Sequence, residues 1–323
     1  MLKEFCKINY YLWLMLPLYF LGACTEGKDP EPLLDSKTYI FWTSLEDRTI
    51  ERAVIKEGMA VETEVLYDEV KGLQSPSGIV ADGSTQFIYW TDFSARQILR
   101  APWDGSGNPE VLYTASYKGK GPLELVLDQK NRTIYWSQPY DHLILRAPAD
   151  GGGPVDTLFS KKEQINGVWG VQLALSSGHL YWVEYNDAEV WRVSLRDQAK
   201  PELLYAGGSG FLRPYALAVN EELNALYILD NPLPGSIHTD RILKGSLDGK
   251  QALEMLYNRE DGVENAYALA VGPGKEYLYW HNQLNEGSIY RGTLAGRSEP
   301  ECLLRGIQVG LGLAVITITT PLL

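Results

Sequence analysis

The chain has 323 residues, 45% hydrophobic and 22% charged, with 31 Gly and 17 Pro, a balance that excludes a disordered or collagen-like protein. A formal net charge of −12 without any Lys/Arg cluster argues against nucleic acid as a partner, because such a surface repels phosphate. Three cysteines, Cys6, Cys24 and Cys302, exclude a dense disulfide framework, so the fold must stand on its apolar core.

Residues 1–23 read as a secretory signal. Lys3 and Lys7 precede an apolar stretch, 8–21, that is too short for a membrane span of about 20 residues. Its end, Leu21-Gly22-Ala23-Cys24, resembles the bacterial lipobox. That resemblance implies cleavage before Cys24, lipidation of Cys24, and a place in the cell envelope, at the outer membrane or facing the periplasm of a Gram-negative bacterium. Residues 24–37 are polar, contain two prolines and read as a tether. Cys302 lies in the apolar run Cys302-Leu303-Leu304 and is expected to be a buried, inert thiol.

From residue 38 to 318 one pattern recurs six times. An aromatic strand comes first: Phe41-Trp42-Thr43-Ser44, Tyr89-Trp90-Thr91-Asp92, Tyr135-Trp136-Ser137-Gln138, Tyr181-Trp182-Val183-Glu184, Tyr227-Ile228-Leu229-Asp230 and Tyr279-Trp280-His281-Asn282. Their second members are spaced by 48, 46, 46, 46 and 52 residues. An Ile-Leu-Arg-like strand follows, as at Ile98-Leu99-Arg100, then in three repeats an Asp-Gly turn, where Gly accepts positive φ. A third strand ends each repeat, as in Val111-Leu112-Tyr113. A small, β-branched strand precedes the next aromatic one, as in Gly78-Ile79-Val80-Ala81. Four strands per period of roughly 46 residues match one blade of a β-propeller.

The ends predict closure. The first repeat lacks its small apolar strand, and Gly310–Ile316 at the other end supplies it. The fold class expected is therefore all-β: a six-bladed propeller of four-stranded antiparallel blades, closed by the C-terminal strand joining the N-terminal blade. The Trp residues are expected to be wedges between blades, and small residues such as Ala218 and Ala270 to crowd the axis.

Tyr89-Trp90-Thr91-Asp92, followed by Ile98-Leu99-Arg100 and Asp104-Gly105, resembles the YWTD (class B) repeats of low-density lipoprotein receptors. The resemblance covers about 39–316 and implies a six-bladed ring, used in that family for extracellular protein binding. The other five copies have drifted to FWTS, YWSQ, YWVE, YILD and YWHN, and no cysteine-rich module flanks the repeats. The four histidines, His142, His179, His238 and His281, form no cluster along the chain, so the family's pH switch is not carried over.

In this topology the loops after the aromatic strands and those before the inner strands share one face, and they are the longer loops. That face carries Tyr117, Tyr140, Trp169, Tyr185, Phe211, Tyr215 and Tyr267 beside Glu124 and Arg213. Aromatic rings next to hydrogen-bonding groups suit a protein or glycan. The blade with the longer period adds the loop Pro232-Leu233-Pro234-Gly235-Ser236. No catalytic Ser motif, zinc spacing, phosphate loop or dinucleotide fingerprint is present. The expectation is thus a non-enzymatic, lipid-anchored binding or scaffolding ring without metal or cofactor, recognising an envelope or extracellular protein or glycan. The alternative is a metal-dependent propeller enzyme of the lactonase or lyase type, with oxygen ligands drawn from Glu124, Asp230 and Asn265.

Overall fold

The computed structural model describes residues 34–56, 58–115, 120–163, 165–196, 199–232, 240–274, 276–284, 287–296, 298–308 and 310–321. Residues 1–33, with the expected signal and Cys24, lie outside this set, as do Tyr117, His238 and most of the 232–236 loop.

Six four-stranded sheets stand around an axis. In the first, the C-terminal strand Leu313–Pro321 lies innermost and pairs antiparallel with Leu34–Ser44, from Leu34 opposite Pro321 to Trp42 opposite Leu313. The ring therefore closes as expected, and its opening strand starts inside the stretch read as tether. The inner strands of blades 2 to 6 are Pro76–Asp82, Leu125–Asp128, Val168–Ala174, Pro214–Asn220 and Ala266–Val271. Among the described residues no helix is long and apolar enough to cross a membrane.

The repeat residues explain themselves through contacts between blades. Trp42, Trp90, Trp182 and Trp280 are fully buried. A ring on the outer strand of one blade stacks on the Trp of the next: Tyr67 on Trp90, Tyr113 on Trp136, Phe159 on Trp182 and Tyr257 on Trp280, with centroids 5.3–6.1 Å apart. The phenol then reaches further into that next blade. Tyr67 donates to the Pro102 carbonyl at 2.6 Å, Tyr113 to Pro148 at 2.8 Å and Tyr257 to Thr293 at 2.8 Å. A buried hydroxyl thus finds its partner while its ring fills the core.

The third motif position ties neighbouring inner strands together. Thr43 donates to the Ser77 carbonyl, Thr91 to Leu123 and Ser137 to Trp169, each in the following blade. The fourth position holds the long loop before its own inner strand. Asp92 accepts from the Gln74 and Ser75 amides, Asp230 from Leu212 and Arg213, and Asn282 from Glu264. The acidic residue of the motif is therefore fixed by backbone donors that would otherwise be orphaned.

Candidate functional site

The inner strands begin with an irregularity at the same place in four blades, between Pro76 and Ile79, Val168 and Val171, Pro214 and Ala216, and Ala266 and Ala268. Such a bulge re-aims the side chain it carries. Here it places Trp169, Tyr215 and Tyr267 side by side at the long-loop end of blades 4 to 6. Trp169 meets Tyr215 edge-on at 5.0 Å, and Tyr215 meets Tyr267 at 4.6 Å. Tyr185, from the hairpin 185–188 of blade 4, closes the group at 5.0 Å from Trp169 and 4.9 Å from Tyr215. The Arg213 guanidinium lies 4.3 Å from the Tyr185 ring centre. Burial, reinforced by the neighbouring Tyr267 phenol, raises the pKa of Tyr215, so its hydroxyl stays protonated.

Of the residues expected on this face, Trp169, Tyr185, Arg213, Tyr215 and Tyr267 therefore form one cluster. Tyr140 is half-exposed and its ring meets Phe93, under the Lys120 ammonium at 4.4 Å. Glu124 lies at the axis, against Gly78, and lines the central channel. Phe211 is fully buried among Tyr205, Leu226 and Leu243 and offers no surface to a ligand: its loop turns the ring inward. Tyr117 lies outside the described residues.

A second group, which sequence reasoning passed over, sits on the same face. Glu184 ends the second strand of blade 4, Glu189 begins the third, and Asp187 lies in the hairpin between them. Glu184 and Glu189 are direct cross-strand partners. One carboxylate oxygen from each of the three lies within 4.8 Å of the others. Each carboxylate also accepts a hydrogen bond that orients it: Glu184 from the Trp182 indole at 3.1 Å and the Asn166 amide at 3.0 Å, Asp187 from the Asn166 side chain at 2.9 Å, and Glu189 from the Trp191 indole at 2.9 Å. These donors are neutral, and no ion pair to any of the three is present among the described residues. Burial, with Glu189 and Asp187 nearby, pushes the Glu184 carboxyl up to about 7. Three hard oxygen donors held by neutral neighbours fit a divalent cation such as Ca²⁺ or Mg²⁺, for which supporting hydrogen bonds fix the ligand geometry.

The ligand set expected from sequence is different and does not form. Asp230 is fully buried and engaged by the Leu212 and Arg213 amides and by Arg241 at 2.9 Å. The side-chain oxygen of Asn265 accepts from Asn231 at 3.2 Å.

No family model matches the chain. A 75-residue segment, 23% of the chain, is 36% identical to Nidogen-2 of Mus musculus, of which it spans 5%. Among solved structures, the ring is similar to one in a nidogen/laminin complex, with TM-score 0.70 and 20% identity over 87% of this chain and 98% of that one. It is similar to a putative 6-phosphogluconolactonase from Bacteroides uniformis, with TM-score 0.54 and 13% identity over 82% of this chain and 81% of that one. A streptogramin B lyase gives TM-score 0.51 and 13% identity over 85% and 75%. At these identities the likeness is one of fold.

The expectation of a non-enzymatic ring without metal is corrected by two findings. Rings of this fold are described as a lactonase and a lyase, and three carboxylates converge here on the long-loop face. The three converging carboxylates come from a single hairpin, not from separate blades around the axis.

Proposed function

We propose that the ring is a divalent-metal-dependent enzyme of the lactonase or lyase type, with its metal on Glu184, Asp187 and Glu189. The observation that carries this reading is the convergence of the three carboxylates within 4.8 Å. A divalent ion there supplies Lewis acidity toward a substrate carbonyl. The chain's own contribution is positional. Tyr185, in the same hairpin, belongs to the aromatic cluster of Trp169, Tyr215 and Tyr267, which offers ring faces and edges to a cyclic substrate.

The two indoles bonded to the carboxylates provide the test. Terbium, a luminescent stand-in for Ca²⁺, should bind and be sensitised by excitation of Trp182 and Trp191. Asp187→Asn and Glu189→Gln should each weaken binding by about tenfold or more. Hydrolysis of a panel of sugar and aliphatic lactones should be abolished by EDTA and restored by Ca²⁺ or Mg²⁺. No saturable terbium signal, or lactone turnover indifferent to EDTA, would refute the assignment.

A second reading concerns a protein partner. It is supported by the likeness to the ring from the nidogen/laminin complex, which extends over 98% of that ring, and we infer an extracellular protein as a partner of the same face. The YWTD-like motif residues support kinship with that repeat family, and the Leu21–Cys24 sequence supports a lipid anchor in the envelope. Mass spectrometry of the mature chain should find its N-terminus at Cys24 carrying acyl mass; an unmodified Cys24 would remove the anchor.

A further inference from the structure

The registers of the six blades define equivalent positions around the axis. Leu313, Ile79, Leu125, Val171, Leu217 and Leu269 each lie opposite the second residue of the aromatic motif. The residues just before them are Gly312, Gly78, Glu124, Gly170, Ala216 and Ala268. Five of the six therefore carry at most a methyl group, and the sixth carries a carboxyl. One step further along the strands the ring reads Ala314, Val80, Val126, Gln172, Ala218 and Ala270, apolar except for one amide.

These layers enclose a central channel of about 340 Å³, within the size range of small-molecule sites. Its polar side chains, Glu124, Gln129 and Gln172, all come from blades 3 and 4, and apolar side chains cover the rest. Leu175 and Gln129, both exposed, edge it on the short-turn face, away from the carboxylate triad. Among the described residues Glu124 is the sole titratable or charged group in the lining. Its described hydrogen bond is a local one, from its neighbour's amide at 3.2 Å. Gly78 makes room for it, since a Cβ there would stand 2.9 Å from the carboxyl oxygen.

We propose that this channel binds a slim, uncharged organic molecule with an apolar body and a carbonyl group, which accepts a hydrogen bond from the Glu124 carboxylic acid. Three observations combine. The void is built by small residues at equivalent positions in five blades. The polar groups form a stripe on one side only. Among the described residues no cation lines the channel beside the single carboxyl; burial pushes it up to about 8, so it holds its proton at neutral pH and offers a donor. A charged ligand would meet an apolar wall with no counter-ion, at a large desolvation cost.

The test uses 2-octanone as probe, titrated into the full chain by calorimetry near pH 6.5. Saturable binding with one site is expected. Glu124→Leu should weaken it at least tenfold by removing the donor, whereas Glu124→Gln, which keeps an N–H, should stay within about threefold. Ala270→Leu, which fills the channel, should abolish it, with a circular-dichroism melt confirming that each variant is folded. Raising the pH to about 9.5 removes the Glu124 proton and with it the donor, and should weaken binding as Glu124→Leu does. Asp187→Asn should leave ketone binding unchanged, which separates this site from the proposed metal centre. Absence of saturable binding, or binding indifferent to Glu124→Leu and Ala270→Leu, would overturn the proposal. So would octylammonium binding in place of the ketone and strengthening as the pH rises, which would mark a cation site.

Discussion

A chain ending at Gly312 is expected to lose cooperative unfolding and to be recovered as aggregate, while one ending at Ile318 should melt close to the full chain. The strand Leu313–Pro321 forms the inner edge of blade 1. Its side chains feed two interfaces at once. Leu313 and Val315 pack with Ile40, Trp42, Ala268 and Tyr279, between blades 6 and 1. Ala314, Ile316 and Ile318 pack with Phe41, Trp90 and Trp103, between blades 1 and 2. Full burial of a branched aliphatic side chain is worth about 1.5–3 kcal/mol, and Leu313 is buried while Val315, Ile316 and Ile318 are partly so; their combined loss is a large share of the about 5–15 kcal/mol typical of a domain. The inner backbone edge of Leu34–Ser44 would also be left unpaired, a template for edge-to-edge association. Thr319, by contrast, is exposed, and its hydroxyl pairs with that of Ser36 at 3.1 Å. Thermal melts followed by circular dichroism, with light scattering for aggregation, decide the matter. A chain ending at Gly312 that melts cooperatively within a few degrees of the full protein would show that the ring does not depend on this closure.

That closure was legible in the sequence because it is a counting property: an unpaired strand type at one end and its complement at the other. Core assignments were legible for a similar reason, since Trp42, Trp90 and Trp280 recur with the period and period implies equivalence. The site was harder to read for two physical reasons. The fourth motif position serves two ends with one residue type. Asp92 and Asp230 spend their carboxylates on loop amides, while Glu184, one methylene longer, bonds Asn166 and still faces Asp187 and Glu189. The signal lay in the spacing Glu184, Asp187, Glu189, which becomes a cluster only when the strands flanking the hairpin are put in register. Loop aromatics were the second difficulty, because residue type does not say which way a ring turns. Trp169 and Tyr215 sit on bulges that aim them at the mouth, whereas Phe211 fills the core below its loop. Glu124 was picked out from sequence as a binding residue of the long-loop face, and in the alternative reading as a metal ligand with Asp230 and Asn265. It in fact stands against Gly78 in a channel lined mostly by small apolar residues, which points to a different chemistry.

Replacing His281 by Leu is expected to raise the melting temperature, and the gain should widen as the pH falls from about 6.5 to about 4. His281 takes the third motif position in blade 6, where Thr43, Thr91 and Ser137 bridge blades in the first half of the ring and Val183 and Leu229 stand in the fourth and fifth. Its ring is fully buried, and neither nitrogen has a hydrogen-bond partner of good geometry. Burial lowers its pKa from 6.5 to about 4, offset in part by the facing Gln308 carbonyl. Between those two values the unfolded chain binds a proton that the folded chain refuses, so acid favours unfolding. The full interval corresponds to about 3 kcal/mol. Two carboxyls act in the opposite sense. Glu124 and Glu184, raised to about 8 and about 7, contribute stability that is complete below about 4.5 and lost as the pH rises through their folded values. The wild-type profile sums these terms and can be nearly flat, so the difference between the two proteins at each pH is the informative quantity. Leucine has a volume close to that of histidine and already occupies the equivalent place at Leu229, so repacking should be slight. The measurement is a pair of melts in EDTA across this range. A difference that stays constant with pH would mean that His281 takes up its proton in the folded ring, and the account of it as a neutral, buried imidazole would fail.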